Sequence, residues 1–249
     1  MKLKFLLSLC LTIGITHANR INIINNCPFT VWPGILGSPN FETPENGGFQ
    51  LDAGQSREIT TQEQWSGRMW GRTGCDESGH CVTGDCGNKI ECAGAGGVPP
   101  VTLGEWTFDD PNVPGVDFYD VSLVDGFNLP MRITPTGGNE PNGGGPYDCT
   151  STGCPVNIND NCPGELQQTD GGSVVACKSA CEAFNDDVYC CRGEHNQPET
   201  CRSSDWPVNY PQMFKDQCPE AYSYAYDDNK STFTCKRSPS PSYDVTFCP

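Results

Sequence analysis

The chain has 249 residues, with 15 Lys and Arg against 31 Asp and Glu, a net charge of −16. So acidic a protein offers no basic surface that could displace counterions from phosphates, which excludes nucleic acid as a partner and disfavours anionic lipid. With 28 Gly, 21 Pro and 18% charged residues, short strands and many turns are expected, in one large, mainly β domain with loop-rich insertions.

Met1 to Lys4 is basic, Phe5 to Ile15 is apolar, and Thr16-His-Ala18 ends in small residues. That is the pattern of a secretory signal over residues 1–18, too short for a membrane anchor. No later stretch is long and apolar enough to span a membrane, so a secreted, extracellular protein is expected. Removing the signal takes Lys2, Lys4 and Cys10, leaving 13 basic residues against 31 acidic ones and a net charge of −18. Sixteen cysteines remain, an even number behind a signal peptide, which reads as eight disulfides. Zinc is the competing use of cysteine, but His80 and His195 are the only mature histidines, and no metal is expected. Roughly two million pairings are open, and composition does not choose among them.

Along the mature chain, Ile21 and Ile23 alternate with polar residues, and a second strand-like run includes Phe29 and Val31. Further strands are expected over Phe49 to Ile59 and Gly67 to Gly71. Cys75 to Cys92 packs four cysteines into a segment too short for its own core, hence a pinned loop. Strand-like spacing resumes over Val98 to Phe108.

Asp117 to Pro130 concentrates the chemistry. Tyr119, Val121 and Leu123 share one parity and suit a core face, and Asp125-Gly126 reads as a turn. Asp117, Asp120 and Asp125 either solvate strand ends or form the rim of an acidic cleft. In the second case Phe118, Tyr119 and Phe127 are the neighbouring aromatics, and a sugar-like polyol is the suitable ligand. Asp120 and Asp125 are five apart, so a regular strand points them to opposite faces. Only a bulge or the Asp-Gly turn brings them together.

Phe127 to Thr134 reads as another strand, and Thr136 to Pro146 has the composition of a linker. Residues 149–218 then carry nine cysteines and one expected helix, Val174 to Phe184, with Cys177 and Cys181 on one face. Two strands, around Phe233 and over Tyr243 to Phe247, end the chain.

Several ordered runs resemble the thaumatin-like family (pathogenesis-related thaumatin and osmotin type) over essentially the whole mature chain. They are Asn25-Asn-Cys-Pro-Phe-Thr-Val-Trp32, Met69-Trp-Gly-Arg-Thr-Gly-Cys75, Cys81-Val-Thr-Gly-Asp-Cys86 and Asp120-Val-Ser-Leu-Val-Asp-Gly-Phe-Asn128. Tyr189-Cys-Cys191, Cys218 to Tyr224, Phe233-Thr-Cys235 and Val245-Thr-Phe-Cys-Pro249 complete them. The resemblance implies a thaumatin-like β-sandwich core over residues 19–74, 93–148 and 219–249. It adds a small stapled loop domain at 75–92 and a disulfide-rich loop domain at 149–218. Carried over in cysteine order, the pairing is Cys27–Cys248, Cys75–Cys81, Cys86–Cys92, Cys149–Cys235, Cys154–Cys218, Cys162–Cys177, Cys181–Cys190 and Cys191–Cys201.

The family's acidic cleft holds one Arg, one Glu and three Asp, which match Arg68, Glu105, Asp120, Asp125 and Asp227. Three departures stand out. The interval from Glu105 to Asp120 is two residues longer, which puts the placement of Glu105 in question. Glu77 and Asn88 stand where the family has glycine or a close equivalent. Asn229-Lys-Ser231 replaces a common proline and makes Asn229 a candidate glycosylation site.

Glycoside hydrolysis needs one carboxyl held protonated and one ionised. Glu105, beside Trp106, is the acid candidate on the expectation that an apolar neighbour raises its pKa. Asp120 or Asp125 is the second carboxylate, Arg68 holds others ionised, and Phe118 or Tyr119 supplies the sugar platform. Other constellations fail: Asn157 to Asn161 begins like a calcium loop, but Cys162 replaces its glycine and no Glu occupies its twelfth position. No phosphate loop or dinucleotide fingerprint occurs, so no cofactor is expected. Two functions follow. One is a secreted monomeric defence protein that binds β-1,3-glucan or another polysaccharide, with or without weak endo-β-1,3-glucanase activity. The other is a non-catalytic interaction protein, such as a protease or amylase inhibitor or a taste-active ligand, acting through a loop face.

Overall fold

Alternation dictates the first strand: Ile21 and Ile23 are fully buried, while Arg20 before them is exposed and Asn22 between them is half-buried, so β1 (Asn19–Asn25) lays one face on a core. The computed structural model describes residues 18–140, 143–227 and 230–249. Within them follow β2 (Trp32–Gly37), β3 (Ser56–Thr61), β4 (Trp65–Arg72), β5 (Leu103–Phe108), β6 (Val116–Ser122), β7 (Met131–Thr136) and β8 (Thr152–Cys154). The remaining elements are β9 (Gln167–Asp170), β10 (Ser173–Cys177), α1 (Ala180–Phe184), α2 (Asp187–Cys190), α3 (Tyr210–Gln217), β11 (Phe233–Lys236) and β12 (Ser242–Phe247).

Two five-stranded sheets form, in the orders β3-β1-β12-β7-β8 and β11-β6-β5-β4-β2. Every pair in the second sheet is antiparallel, whereas β1 runs parallel to β12. Ile21, Ile23, Tyr243, Val245 and Phe247 from the first sheet share a core with Met69, Trp106, Phe108, Tyr119 and Val121 from the second. This is the expected mainly β sandwich. All eight disulfides join the partners that the resemblance implied.

The Cys75–Cys92 segment contains no regular element. Arg72 pins it: the fully buried guanidinium donates to the carbonyls of Trp32, Pro33, Lys89 and Ile90. Burial lowers the pKa of that side chain to about 10, against the opposing pull of Asp85. Asn88 holds a left-handed φ of 57°, which Asn tolerates better than most residues.

Four local expectations need correction. Val174 to Phe184 is not one helix: Ser173–Cys177 pairs with β9, and the helix begins only at Ala180, capped where Ser179 accepts from the Glu182 amide. Two adjacent β-branched valines favour the strand, and Ser179 is a strong N-cap residue. Cys177 and Cys181 therefore lie on different elements and take different partners. Phe29 is 47% exposed and outside β2, which starts at Trp32. Thr152–Cys154, inside the stretch expected as loop, pairs with β7. Finally, α3 was absent from the expected elements, although Asn209 caps it and Pro211 sits in its first turn. Among the described residues no helix is long and apolar enough to cross a membrane.

Candidate functional site: an acidic groove on the second sheet

Register assembles the site. Leu36 pairs with Arg68, Arg68 with Glu105, and Glu105 with Asp120, so one row crosses β2, β4, β5 and β6. Their neighbours Met69, Trp106, Tyr119 and Val121 are buried in the core. Alternation therefore turns Arg68, Glu105 and Asp120 to the outer face. Strands lie about 4.8 Å apart, which places these three side chains within about 10 Å of one another. The longer interval before Asp120 leaves that row intact. It is absorbed in the β5–β6 turn, where the Asp110 amide bonds the Val116 carbonyl.

Asp125 reaches the same face by the turn that parity required. β6 ends at Ser122, Leu123 stays in the core, and the Gly126 amide donates to the Leu123 carbonyl at 2.9 Å. Gly126 has a φ of 84°, and a Cβ there would come within 2.7 Å of the Cys177 carbonyl oxygen. No other residue fits both the backbone and the space. The Asp125 carbonyl accepts from the Val101 amide, which fixes the turn.

Arg68, Glu105, Asp120 and Asp125 line a cavity of about 360 Å³ with Leu103, Ser122, Val124, Tyr222 and Ala225. A second cavity of about 470 Å³ continues over Ser66, Thr107 and Phe118 and shares Arg68, Glu105 and Asp120 with the first. On the far side of Asp125 a recess of about 80 Å³ is walled by Tyr189, Trp206 and Tyr224. The three together make a groove rather than a closed pocket.

Burial raises the pKa of Glu105, with Arg68 opposing and Asp125 reinforcing the shift. Burial raises that of Asp125 too, again opposed by Arg68. The protonated state is thus favoured more at both carboxyls than in water, which suits hydroxyl-rich neutral ligands and proton donation alike.

The structure brings together four of the expected residues, Arg68, Glu105, Asp120 and Asp125, and sets Phe118 beside them. It does not bring Tyr119, whose ring packs on Phe233 and Tyr243 in the core and whose hydroxyl donates to the Thr150 carbonyl at 2.6 Å. Burial pushes that hydroxyl's pKa up, away from any ionising role. Trp106 also faces the core, so the shift at Glu105 comes from its burial and not from that indole. Phe127 is fully buried, and Asp117 lies inside the sandwich, bonded by Arg237 and Tyr243. Asp227 does not line the groove; it accepts from Lys215 and Ser223. Asn229 lies outside the described residues.

Missed by the sequence reading were Ser66, Thr107 and Ser122, which share the parity of Arg68, Glu105 and Asp120 and were legible in principle. Tyr189, Trp206 and Tyr222 carried no such signal, because contacts distant in sequence place them.

A sandwich with these eight bridges and this row of charges defines a class. The chain belongs to the thaumatin family, whose sequence profile matches residues 25–249. Among its relatives is pathogenesis-related protein 5 of Arabidopsis thaliana, 50% identical over 236 residues, 93% of this chain and 91% of that one. Another, from Prunus avium, is named a glucan endo-1,3-beta-glucosidase and is 48% identical over 99% of this chain and 98% of its own. A β-1,3-glucanase domain from Clostridium beijerinckii shares the fold at a TM-score of 0.55 and 10% identity, over 92% of this chain and 98% of that one.

Proposed function

We propose that this is a secreted defence protein whose acidic groove binds β-1,3-glucan, with slow endo-hydrolysis as an additional capacity of the same site. The observation that carries the reading is the row of Arg68, Glu105 and Asp120, joined by Asp125, in an open groove flanked by Phe118. An open groove admits a polymer that a closed pocket would exclude. Carboxyls accept from sugar hydroxyls, and an aromatic face stacks on a sugar ring. The pathogenesis-related names of the relatives support a defence role, and the name of the Prunus avium relative supports a β-1,3-glucan ligand. Eight disulfides and the signal-like residues 1–18 support secretion.

In hydrolysis Glu105 is the proton donor, because burial raises its pKa and the Asp125 charge adds to the shift, and Asp120 is the second carboxylate, directly opposite it in the sheet. Retention on insoluble β-1,3-glucan, with reducing-sugar release measured alongside, tests both parts. Asp125→Asn should weaken retention by about 1 kcal/mol, the scale of one net hydrogen bond. Glu105→Gln should stop sugar release while retention persists. Parent-like behaviour of both variants would place the function on another face.

A further inference from the structure

The groove has one wall that the sheet does not build. Tyr222 and Ala225 belong to the segment after α3, and they close the cavity opposite Arg68 and Glu105. Backbone bonds hold the start of this wall: the Tyr222 amide donates to the Val121 carbonyl, and the Tyr222 carbonyl accepts from the Leu123 amide. Beyond Tyr222 the chain leaves the sheet edge, and a different device takes over.

That device is Lys215, in the last turn of α3. Its ammonium donates to the Ala221 carbonyl at 2.9 Å, to Asp227 Oδ2 at 2.8 Å and to Ser231 Oγ at 2.7 Å. Three donors meet three acceptors, which is the full capacity of an ammonium. Asp227 Oδ2 in turn accepts from the Ser223 amide at 3.1 Å and from the Ser223 hydroxyl at 2.9 Å. The Lys215 and Asp227 side chains are only 16% and 15% exposed. One largely buried ion pair thus ties both flanks of the wall, Ala221 and Ser223 on one side and Asp227 and Ser231 on the other, to a helix from the cystine-rich region.

We infer that Lys215 and Asp227 are positioning residues for the glucan groove: they set its Tyr222–Ala225 wall and do not touch the ligand. This inference rests on the proposed function for its ligand, but not for its geometry. It reassigns Asp227 from ligand contact to clasp. Removing either partner leaves the other charge largely buried and unpaired, so the wall is expected to open in both cases.

The test measures retention of Lys215→Met, Asp227→Ala and the double variant on insoluble β-1,3-glucan. Hydrogen exchange at amides 222–225 is followed in the ligand-free proteins. If the pair acts as one clasp, each single variant loses retention about tenfold and the double variant is no worse than either, the non-additivity of residues in one network. Exchange at 222–225 accelerates in all three, while the β5 and β6 amides stay protected, which separates a loosened wall from a failure to fold. Loss of retention in Asp227→Ala with parent-like Lys215→Met and unchanged exchange would overturn the inference and make Asp227 a direct contact. Parent-like retention in all three variants would overturn it as well. If the parent itself is not retained, the glucan reading falls. The clasp is then judged on exchange alone, where unchanged amides at 222–225 overturn it.

Discussion

Phe118 and Tyr119 are adjacent aromatics in β6, and only one of them can serve the groove. Tyr119→Phe removes a single oxygen, the one that donates to the Thr150 carbonyl at 2.6 Å. The net loss of one hydrogen bond, with its acceptor left unpaired in a partly buried place, amounts to about 1–2 kcal/mol. For a chain of this size that lowers the thermal midpoint by roughly 2–8 °C. The ring remains, so its packing on Phe233 and Tyr243 is preserved and the β6 register is unchanged. Retention on β-1,3-glucan is therefore expected to equal that of the parent. Phe118→Ala should do the reverse, because its side chain lines the outer cavity. Losing a stacking face worth about 0.5–1.5 kcal/mol weakens retention by roughly two- to twelvefold and leaves the midpoint nearly unmoved. Calorimetry at one fixed scan rate and the glucan sedimentation assay, on the same preparations, read both quantities. If Tyr119→Phe kept its midpoint and lost retention, the assignment of faces in β6, and with it the whole groove, would be wrong.

The raised carboxyl pKa values fix the sign of a pH effect. For Glu105 and Asp125 the folded-state pKa lies above the unfolded one, so their contribution to stability is full below the ordinary carboxylate range. It is lost as pH rises through the folded values. Glu105→Gln should accordingly melt above the parent at neutral pH and converge with it in acid; a variant less stable than the parent at pH 7 would contradict this. Loop entropy ranks the disulfides. Opening Cys27–Cys248, with its sequence separation of 221, should cost roughly 5 kcal/mol, against about 2.4 for Cys75–Cys81 with its separation of 6. Paired Cys→Ser variants compared by thermal midpoint check the order, and equal losses would refute the entropic account.

Much of this protein is decided within a few residues of chain. Ile21 and Ile23 alternate with polar neighbours, so one face of that strand is apolar wherever the strand lands. The parity of Asp120 against Tyr119 and Val121 likewise separates groove from core before any packing is known. Asp125-Gly126 is a turn because glycine takes the left-handed φ of 84° found there without steric cost. The even cysteine count behind a signal-like segment points to bridges. These are local properties, set by covalent geometry and by which side chains water rejects.

What needed the tertiary structure is everything that depends on a partner far along the chain. Val174 to Phe184 carries helical spacing, but pairing with Gln167–Asp170 draws its first half into a strand. Arg68, Glu105 and Asp120 form a row only because three strands share one register. Glu105 owes its raised pKa to burial beneath the groove and not to the tryptophan next to it in sequence. Asp227 is held by Lys215, twelve residues away on a helix that no periodicity announced. Local chemistry limits which conformations each segment can take. Which one it takes, and which side chains then meet, is set by the burial and hydrogen bonds that distant segments supply.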